Sequence, residues 1–197
     1  MATNKDKILR AASELIHRNG YEKTSVEMLL SESEVSKSNF YYHFDSKEAL
    51  CLKVINLWID DYEKRIFHDI LSNSSLTPSE RIKSLYDNHK AMLRNFEGIF
   101  GCPFGNLAVE TSRSGDSFRS PLSSFFSEWQ KPSTECIYTG IQCGEFRNDL
   151  APKLIAGLIL CHLEGALMMA KLHMSLEHLT LGAWTILKLI NASDKTG

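Results

Sequence analysis

The sequence predicts an all-α fold of about nine helices: an N-terminal three-helix helix-turn-helix domain followed by a larger C-terminal helical domain. Three observations carry that prediction. Apolar residues recur at spacings of three and four, and the two-residue alternation of a strand is absent. Helix starts are written as capping boxes, at Thr24-Ser25-Val26-Glu27 and again at Thr77-Pro78-Ser79-Glu80. Between residues 24 and 44, two short helical segments are separated by a tight turn, Glu34-Val35-Ser36.

The elements follow in order. Lys5 to Asn19 is an amphipathic helix with Ile8, Ala11, Ala12, Leu15 and Ile16 on one stripe, closed by Gly20. Thr24 caps the next helix, with Glu27 reaching back, and Val26, Leu29 and Leu30 carry it to about Ser33. Val35 plugs the turn. Ser36 caps a third helix that buries Phe40 and Phe44 and leaves Lys37, Ser38, Asn39, Tyr41, Tyr42 and His43 on its other sides. A helix this short is unstable alone in water, so the two aromatics must anchor it to a core. Asp45 or Ser46 then caps a long helix to about Leu71, with Leu50, Val54, Leu57, Trp58, Tyr62 and Ile66 inward. Thr77 starts a helix to about Asn95 with Ile82, Leu85, His89 and Met92 inward. After a break at 98–105 comes a short helix near Asn106 to Thr111. A loop at 113–116 leads to a helix of about 25 residues, kinked at Pro132. A helix from Pro152 to Leu172 is apolar almost all round, and the last runs from Ser175 to Ile190. The tail beyond Asn191 is expected to be loose.

Composition fits a two-part intracellular chain. Its 197 residues divide into a domain at 1–50 and one at 51–197. With 43 % hydrophobic and 23 % charged residues it reads as soluble and globular. The N-terminus carries no secretory pattern, and the longest unbroken apolar run, Leu154 to Leu160, is too short to span a bilayer. Cys51, Cys102, Cys136, Cys143 and Cys161 are odd in number and unrelated in spacing, which argues for reduced thiols and a cytoplasmic location.

The third helix offers a cation, hydroxyls, an amide and aromatic edges on one face, the groups that read base edges and phosphates in double-stranded DNA. The alternative is an ordinary surface helix rich in aromatics. Net charge does not favour DNA: the chain is −2, and residues 1–53 hold eight Lys/Arg against eight Asp/Glu. Phosphate neutralisation then rests on Lys37, Lys47 and helix N-termini, predicting modest non-specific affinity and a shallow salt slope.

The stretch from Ile8 to Leu50 resembles the DNA-binding domain of the TetR/AcrR family of bacterial transcriptional regulators. The matching pieces are Ile8-Leu9-Arg10-Ala11-Ala12, Asn19-Gly20-Tyr21, Thr24-Ser25-Val26, and Val35-Ser36-Lys37-Ser38-Asn39-Phe40-Tyr41-Tyr42-His43-Phe44 followed by Ser46-Lys47-Glu48. One departure is Glu34, where the family usually has glycine or a small residue. If that position requires positive φ, Glu costs about 1 kcal/mol there. The resemblance implies base-edge or adjacent backbone contacts for Lys37, Ser38, Asn39 and Tyr42. It implies phosphate contacts for Ser25, Tyr41, His43 and Lys47, and core positions for Val35, Phe40 and Phe44. From its chemistry, Asn39 can pair bidentately with adenine. His43 reads equally well as a packing residue.

A helix that is apolar on every side must be covered on every side. A symmetry mate over Leu154, Gly157, Leu158, Gly165 and Met169, joined by Leu179, Ala183, Ile186 and Leu187 of the last helix, supplies that cover. A central helix in a monomeric bundle is the alternative. The resemblance implies a two-fold homodimer through these last two long helices, and hence a palindromic operator. The segment Gly101-Cys102-Pro103-Phe104-Gly105-Asn106-Leu107-Ala108-Val109-Glu110 resembles a motif of a subset of the family. Cys102, at a helix N-terminus, is a candidate electrophile or oxidant sensor, or else a small buried hydrophobe. A pocket for a small-molecule effector, hydrophobic, aromatic or thiol-reactive, is expected among Phe96, Phe100, Cys102, Phe104, Phe125, Trp129, Tyr138, His162, Glu164 and Met168.

Catalysis is not indicated. Cys161, His162 and Glu164 are too close in sequence to face one another on a helix. The remaining histidines lack metal-ligand spacing, and no phosphate loop or dinucleotide fingerprint is present. Neither metal nor cofactor is expected, and no catalytic residue is assigned. The expectation is a homodimeric, ligand-responsive DNA-binding repressor. The other reading is a helical dimer that binds small molecules or proteins without binding DNA.

Overall fold

The computed structural model describes residues 3–94, 99–112 and 116–192. Phe96, the loop at 113–115 and the tail from 193 lie outside the described residues. Among those described, the chain is all-helical: α1 (Asn4–Asn19), α2 (Val26–Ser33), α3 (Lys37–His43), α4 (Lys47–Tyr62), α5 (Pro78–Arg94), α6 (Pro103–Glu110), α7 (Asp116–Gln142), α8 (Pro152–His173) and α9 (Glu177–Ile190). The long helix expected to reach Leu71 does so by widening. After Tyr62 it continues as a π-helical segment, Glu63–Leu71. One isolated antiparallel bridge pairs Phe146 with Asn191.

Packing divides the chain into two units. The first holds Met1–Asp61 with Pro103–Leu122, and the second holds Tyr62–Cys102 with Ser123–Gly197. In the first, α1 packs on α2 and α3 around Ile8, Ala12, Leu15, Leu29, Phe40 and Leu50. In the second, α9 packs on α5 and α8, and α5 packs on the π-helical segment.

Caps settle most boundaries. Ser36 and Ser46 accept from the amides of Asn39 and Ala49 at 3.3 and 3.0 Å. Thr77 and Glu80 form the reciprocal box read from the sequence, at 2.8 and 3.2 Å. The box at Thr24 is corrected. α2 is capped by Ser25, which accepts from Met28 N–H at 3.2 Å. Thr24 is fully buried and its hydroxyl donates to the Gly20 carbonyl at 2.7 Å. A buried hydroxyl must be bonded, and the carbonyls of Leu15 and Gly20 supply its partners. Glu34 adopts the left-handed conformation at φ 54°, ψ 37°, and its backbone N–H closes α2. Counted as a whole helix instead of its longest unbroken run, Pro152–His173 is long and apolar enough to cross a membrane. Isolated polar residues interrupt the run without removing the apolar character of the helix.

Candidate nucleic-acid interface

The reading head is built on two anchors. Phe40 is fully buried and Phe44 nearly so, their rings 5.9 Å apart, with Val35 buried in the turn before them. Seven residues of α3 are held to the first unit by these contacts, not by their own hydrogen bonds. Lys37, Ser38, Tyr41 and Tyr42 face outward from α3. Lys37 and Ser38 are exposed. Tyr41 is half-exposed, its ring edge-on to Phe40 at 5.2 Å, and Tyr42 is 82 % exposed. His43 is half-buried beside Tyr42, ring centroids 4.9 Å apart. Lys37, Ser38, Tyr41 and Tyr42 thus offer one ammonium and three hydroxyls on a single short helix.

Three candidates are less available than their sequence positions imply. The Asn39 side chain is half-buried and its Oδ1 is sealed from solvent without a hydrogen-bond partner. Bidentate pairing with adenine needs both Oδ1 and the NH2 group, so the whole side chain must first turn outward. The Ser25 hydroxyl is engaged as the α2 cap. Lys47 points inward: its Nζ donates to the Tyr21 carbonyl at 3.0 Å and sits 4.1 Å above the Tyr21 ring.

In the second unit a chain of buried polar groups runs through an aromatic shell. Trp129 Nε1 donates to Tyr62 Oη at 2.8 Å. Tyr62 Oη lies 3.2 Å from His89 Nε2, and His89 Nδ1 lies 2.7 Å from the Leu85 carbonyl. The carbonyl can only accept, so Nδ1 carries the proton and Nε2 accepts from Tyr62. Burial pushes His89 down to about 4 and Tyr62 well above its ordinary range, so both stay neutral. Phe67 and Phe125 stack at 6.4 Å, and each also meets the Tyr62 ring edge-on. Glu164 joins this neighbourhood. Burial raises its carboxyl pKa, and a hydrogen bond from the Cys102 thiol partly offsets that rise.

Of the residues expected to line an effector pocket, Cys102, Phe125, Trp129 and Glu164 come together around Tyr62. His162 lies elsewhere, its Nδ1 2.9 Å from Tyr86 Oη. Phe100 is half-buried. Tyr138 and Met168 are 49 % and 63 % exposed. Phe104 belongs to the first unit, edge-on to Trp58 at 6.0 Å. Sequence reasoning placed Tyr62 and His89 on inward stripes and read them only as core. Their polar tips were the signal, because a buried phenol and imidazole each need a partner.

On the expected dimer surface, Leu154 and Leu158 are exposed, Gly157, Gly165, Met169 and Leu187 are intermediate, and Leu179, Ala183 and Ile186 are buried within the protomer. The apolar surface that α9 offers is Leu181, Trp184 and Leu189 instead.

Residues 8–54 match the family model of bacterial regulatory proteins of the tetR family, and residues 78–184 match the tetracyclin repressor-like C-terminal domain. The chain belongs to the TetR family. It is a helix-turn-helix transcriptional regulator, in a family of DNA-binding proteins and not of enzymes. It is 31 % identical over 172 residues to the HTH-type transcriptional repressor DhaR of Mycobacterium sp. (strain GP1), covering 87 % of this chain and 84 % of that protein. An HTH-type regulator encoded in the lacX 3' region of Lactococcus lactis subsp. lactis is 33 % identical, covering 90 % and 88 %. A crystal structure of the regulatory protein TetR from Rhodobacter sphaeroides superposes with a TM-score of 0.86 at 26 % identity, covering 93 % of this TetR-family chain and 97 % of that one. The all-α fold and the helix-turn-helix expected from the sequence are those of the family.

Proposed function

We propose that this TetR-family protein is a cytoplasmic homodimeric repressor. Residues 1–50 read a palindromic double-stranded operator, and residues 51–197 bind a small effector and hold the dimer. The observation that carries the reading is α3, pinned by Phe40 and Phe44 with Lys37, Ser38, Tyr41 and Tyr42 turned outward. Repression, as opposed to activation, is supported by the likeness to DhaR, which is named a repressor.

The dimer is supported by a seam on α8. Leu154, Leu158, Cys161, Gly165, Met168 and Leu172 recur at alternating spacings of four and three, and all but Gly165 are exposed. That is the repeat by which two helices pack along their length. A Cβ built on Gly165 meets nothing within 4 Å, which leaves room for close approach.

For the effector, the neutral cluster of Tyr62, His89 and Trp129 in its aromatic shell suits a small apolar or aromatic molecule with one or two hydrogen-bonding atoms. Cys102 beside Glu164 adds a thiol for an electrophile. Effector binding favours a dimer whose two heads no longer match the operator. A coupling of about 1–3 kcal/mol changes affinity five- to 150-fold, enough to switch a promoter.

The test is selection of genomic fragments by the purified protein at two salt concentrations. One inverted repeat is expected to be enriched. The variant with Lys37, Asn39 and Tyr42 all changed to Ala is expected to lose it by about 100-fold or more, since base and phosphate contacts are removed together. Undiminished binding by the triple variant means that the reading head is wrongly assigned. Binding of no duplex by the folded wild type favours the helical module without DNA.

A further inference from the structure

We infer that Glu110 is a positioning residue for operator binding: from the end of α6 its carboxylate fixes the turn between α1 and α2 and, through one peptide group, holds Lys47 at the start of α4. The inference rests on the reading of α3 as the DNA-reading element.

The geometry is two-sided. Glu110 Oε2 accepts from the Tyr21 N–H at 2.9 Å and Oε1 accepts from the Glu22 N–H at 2.9 Å. Two successive backbone amides turned toward one carboxylate are a strong, charge-assisted anion cradle. The turn is shaped around that carboxylate. Gly20 sits at φ +91°, and a Cβ there would lie 2.8 Å from Glu110 Oε1. On the opposite side the Tyr21 carbonyl accepts from Lys47 Nζ at 3.0 Å, and the ammonium lies over the Tyr21 ring.

The N–H of Glu22 and the C=O of Tyr21 belong to the same peptide group. A carboxylate therefore holds its donor end and an ammonium its acceptor end. Each charge polarises the group toward the other, so the two bonds reinforce one another. The Tyr21 ring is buried edge-on against Phe118 at 4.9 Å, which anchors the residue in the core of this unit.

Lys47 opens α4, separated from the end of α3 by only three residues, with Ser46 capping between them. What holds Lys47 therefore sets the direction in which α3 leaves the core. Glu110 touches none of the outward residues of α3. Its contribution to operator binding passes through the turn and Lys47. It also explains why a lysine at a position that the resemblance gives to phosphate is turned inward.

The experiment is a double-mutant cycle on the full chain, read as affinity for the inverted repeat recovered by selection and for a scrambled duplex. Glu110→Ala is expected to weaken operator binding about tenfold, as loss of a charge-assisted pair of bonds predicts. Scrambled-duplex binding should change less than about twofold, because no phosphate contact is removed. Glu110→Gln keeps one acceptor oxygen and should fall between. In a Lys47→Met background the Glu110 effect should shrink to about twofold or less, the non-additivity expected of residues acting through one group. If Glu110→Ala does not fold, Glu110→Gln carries the cycle. Additive effects, or equal losses on both duplexes, overturn the inference and leave Glu110 as a stabilising contact only. Glu110→Ala that binds the operator as tightly as wild type also overturns it. Wild type that folds and binds neither duplex removes the operator reading itself, and the inference falls with it.

Discussion

Glu34 holds the left-handed turn before α3 although it carries a Cβ. That conformation costs an L-residue about 1 kcal/mol relative to glycine. Glu34→Gly should therefore raise unfolding stability by about 0.5–1 kcal/mol, slightly less than the strain relieved because the unfolded chain gains freedom. Chemical denaturation at neutral pH reads this directly. A loss of stability would mean that the Glu34 side chain contributes more than its backbone costs. His89 gives a second prediction at this scale. The unfolded imidazole binds a proton near pH 6.5, whereas the folded one stays neutral down to about pH 4. The unfolded state thus holds more protons through that window, and stability falls as the pH drops across it, by about 3 kcal/mol at the limit. Glu164 acts with the opposite sign. Its raised folded pKa gives stability that is present below the ordinary carboxylate range and lost as pH rises through the folded value. Comparing wild type with His89→Gln cancels the Glu164 contribution, and Gln can still accept from Tyr62. The difference between the two stability curves should slope upward with pH from about 4 to 6.5. A flat difference would show that the buried imidazole is not held neutral.

Among the elements, α7 shows how one missing side chain joins segments. A Cβ on Gly140 would collide with the Phe146 ring, so the ring of the following loop rests on the bare helix backbone. Phe146 is 2 % exposed and bridges Asn191 just beyond α9. Arg147 N–H donates to the Ile190 carbonyl at 2.7 Å beside it. Gly140→Ala must displace that ring and should destabilise by about 1–3 kcal/mol despite the better helix propensity of alanine. A stabilised variant, read by thermal unfolding, would refute this packing. Element order was largely legible in the sequence because it is written locally. Ser36, Ser46 and Thr77 sit beside the apolar stripes they cap, and Phe40 and Phe44 announce the buried side of α3. What was not legible depends on distant partners. The choice of Ser25 over Thr24 as cap is made by carbonyls at the end of α1. The Trp129, Tyr62 and His89 chain joins three helical segments. Glu110 meets amides 88 and 89 residues away, a relation that no local pattern encodes. Asn39 has the right identity for adenine, but only packing reveals that its oxygen faces inward.

For the whole molecule the proposed homodimer is decided by the association of two chains. α8 leaves Leu154, Leu158, Met168 and Leu172 exposed on one seam, and α9 adds Leu181 and Trp184. An apolar surface of this extent on two neighbouring helices calls for a partner. The proposed second copy would satisfy it with two-fold symmetry, in which every residue counts twice. Leu158→Glu places two carboxylates in that seam. Each copy loses about 2 kcal/mol of apolar burial and gains a desolvated charge, so dimer dissociation should rise by about 100-fold or more. Sedimentation equilibrium on wild type and variant measures it. Operator affinity should fall in parallel, because a second head delivered by the same dimer acts at an effective concentration that separate monomers lack, worth about 100- to 10,000-fold. The two readouts must move together. A Leu158→Glu protein that remains dimeric locates the interface elsewhere. A monomeric variant that binds the inverted repeat as tightly as wild type would mean that one head suffices, and the palindrome would then need another explanation.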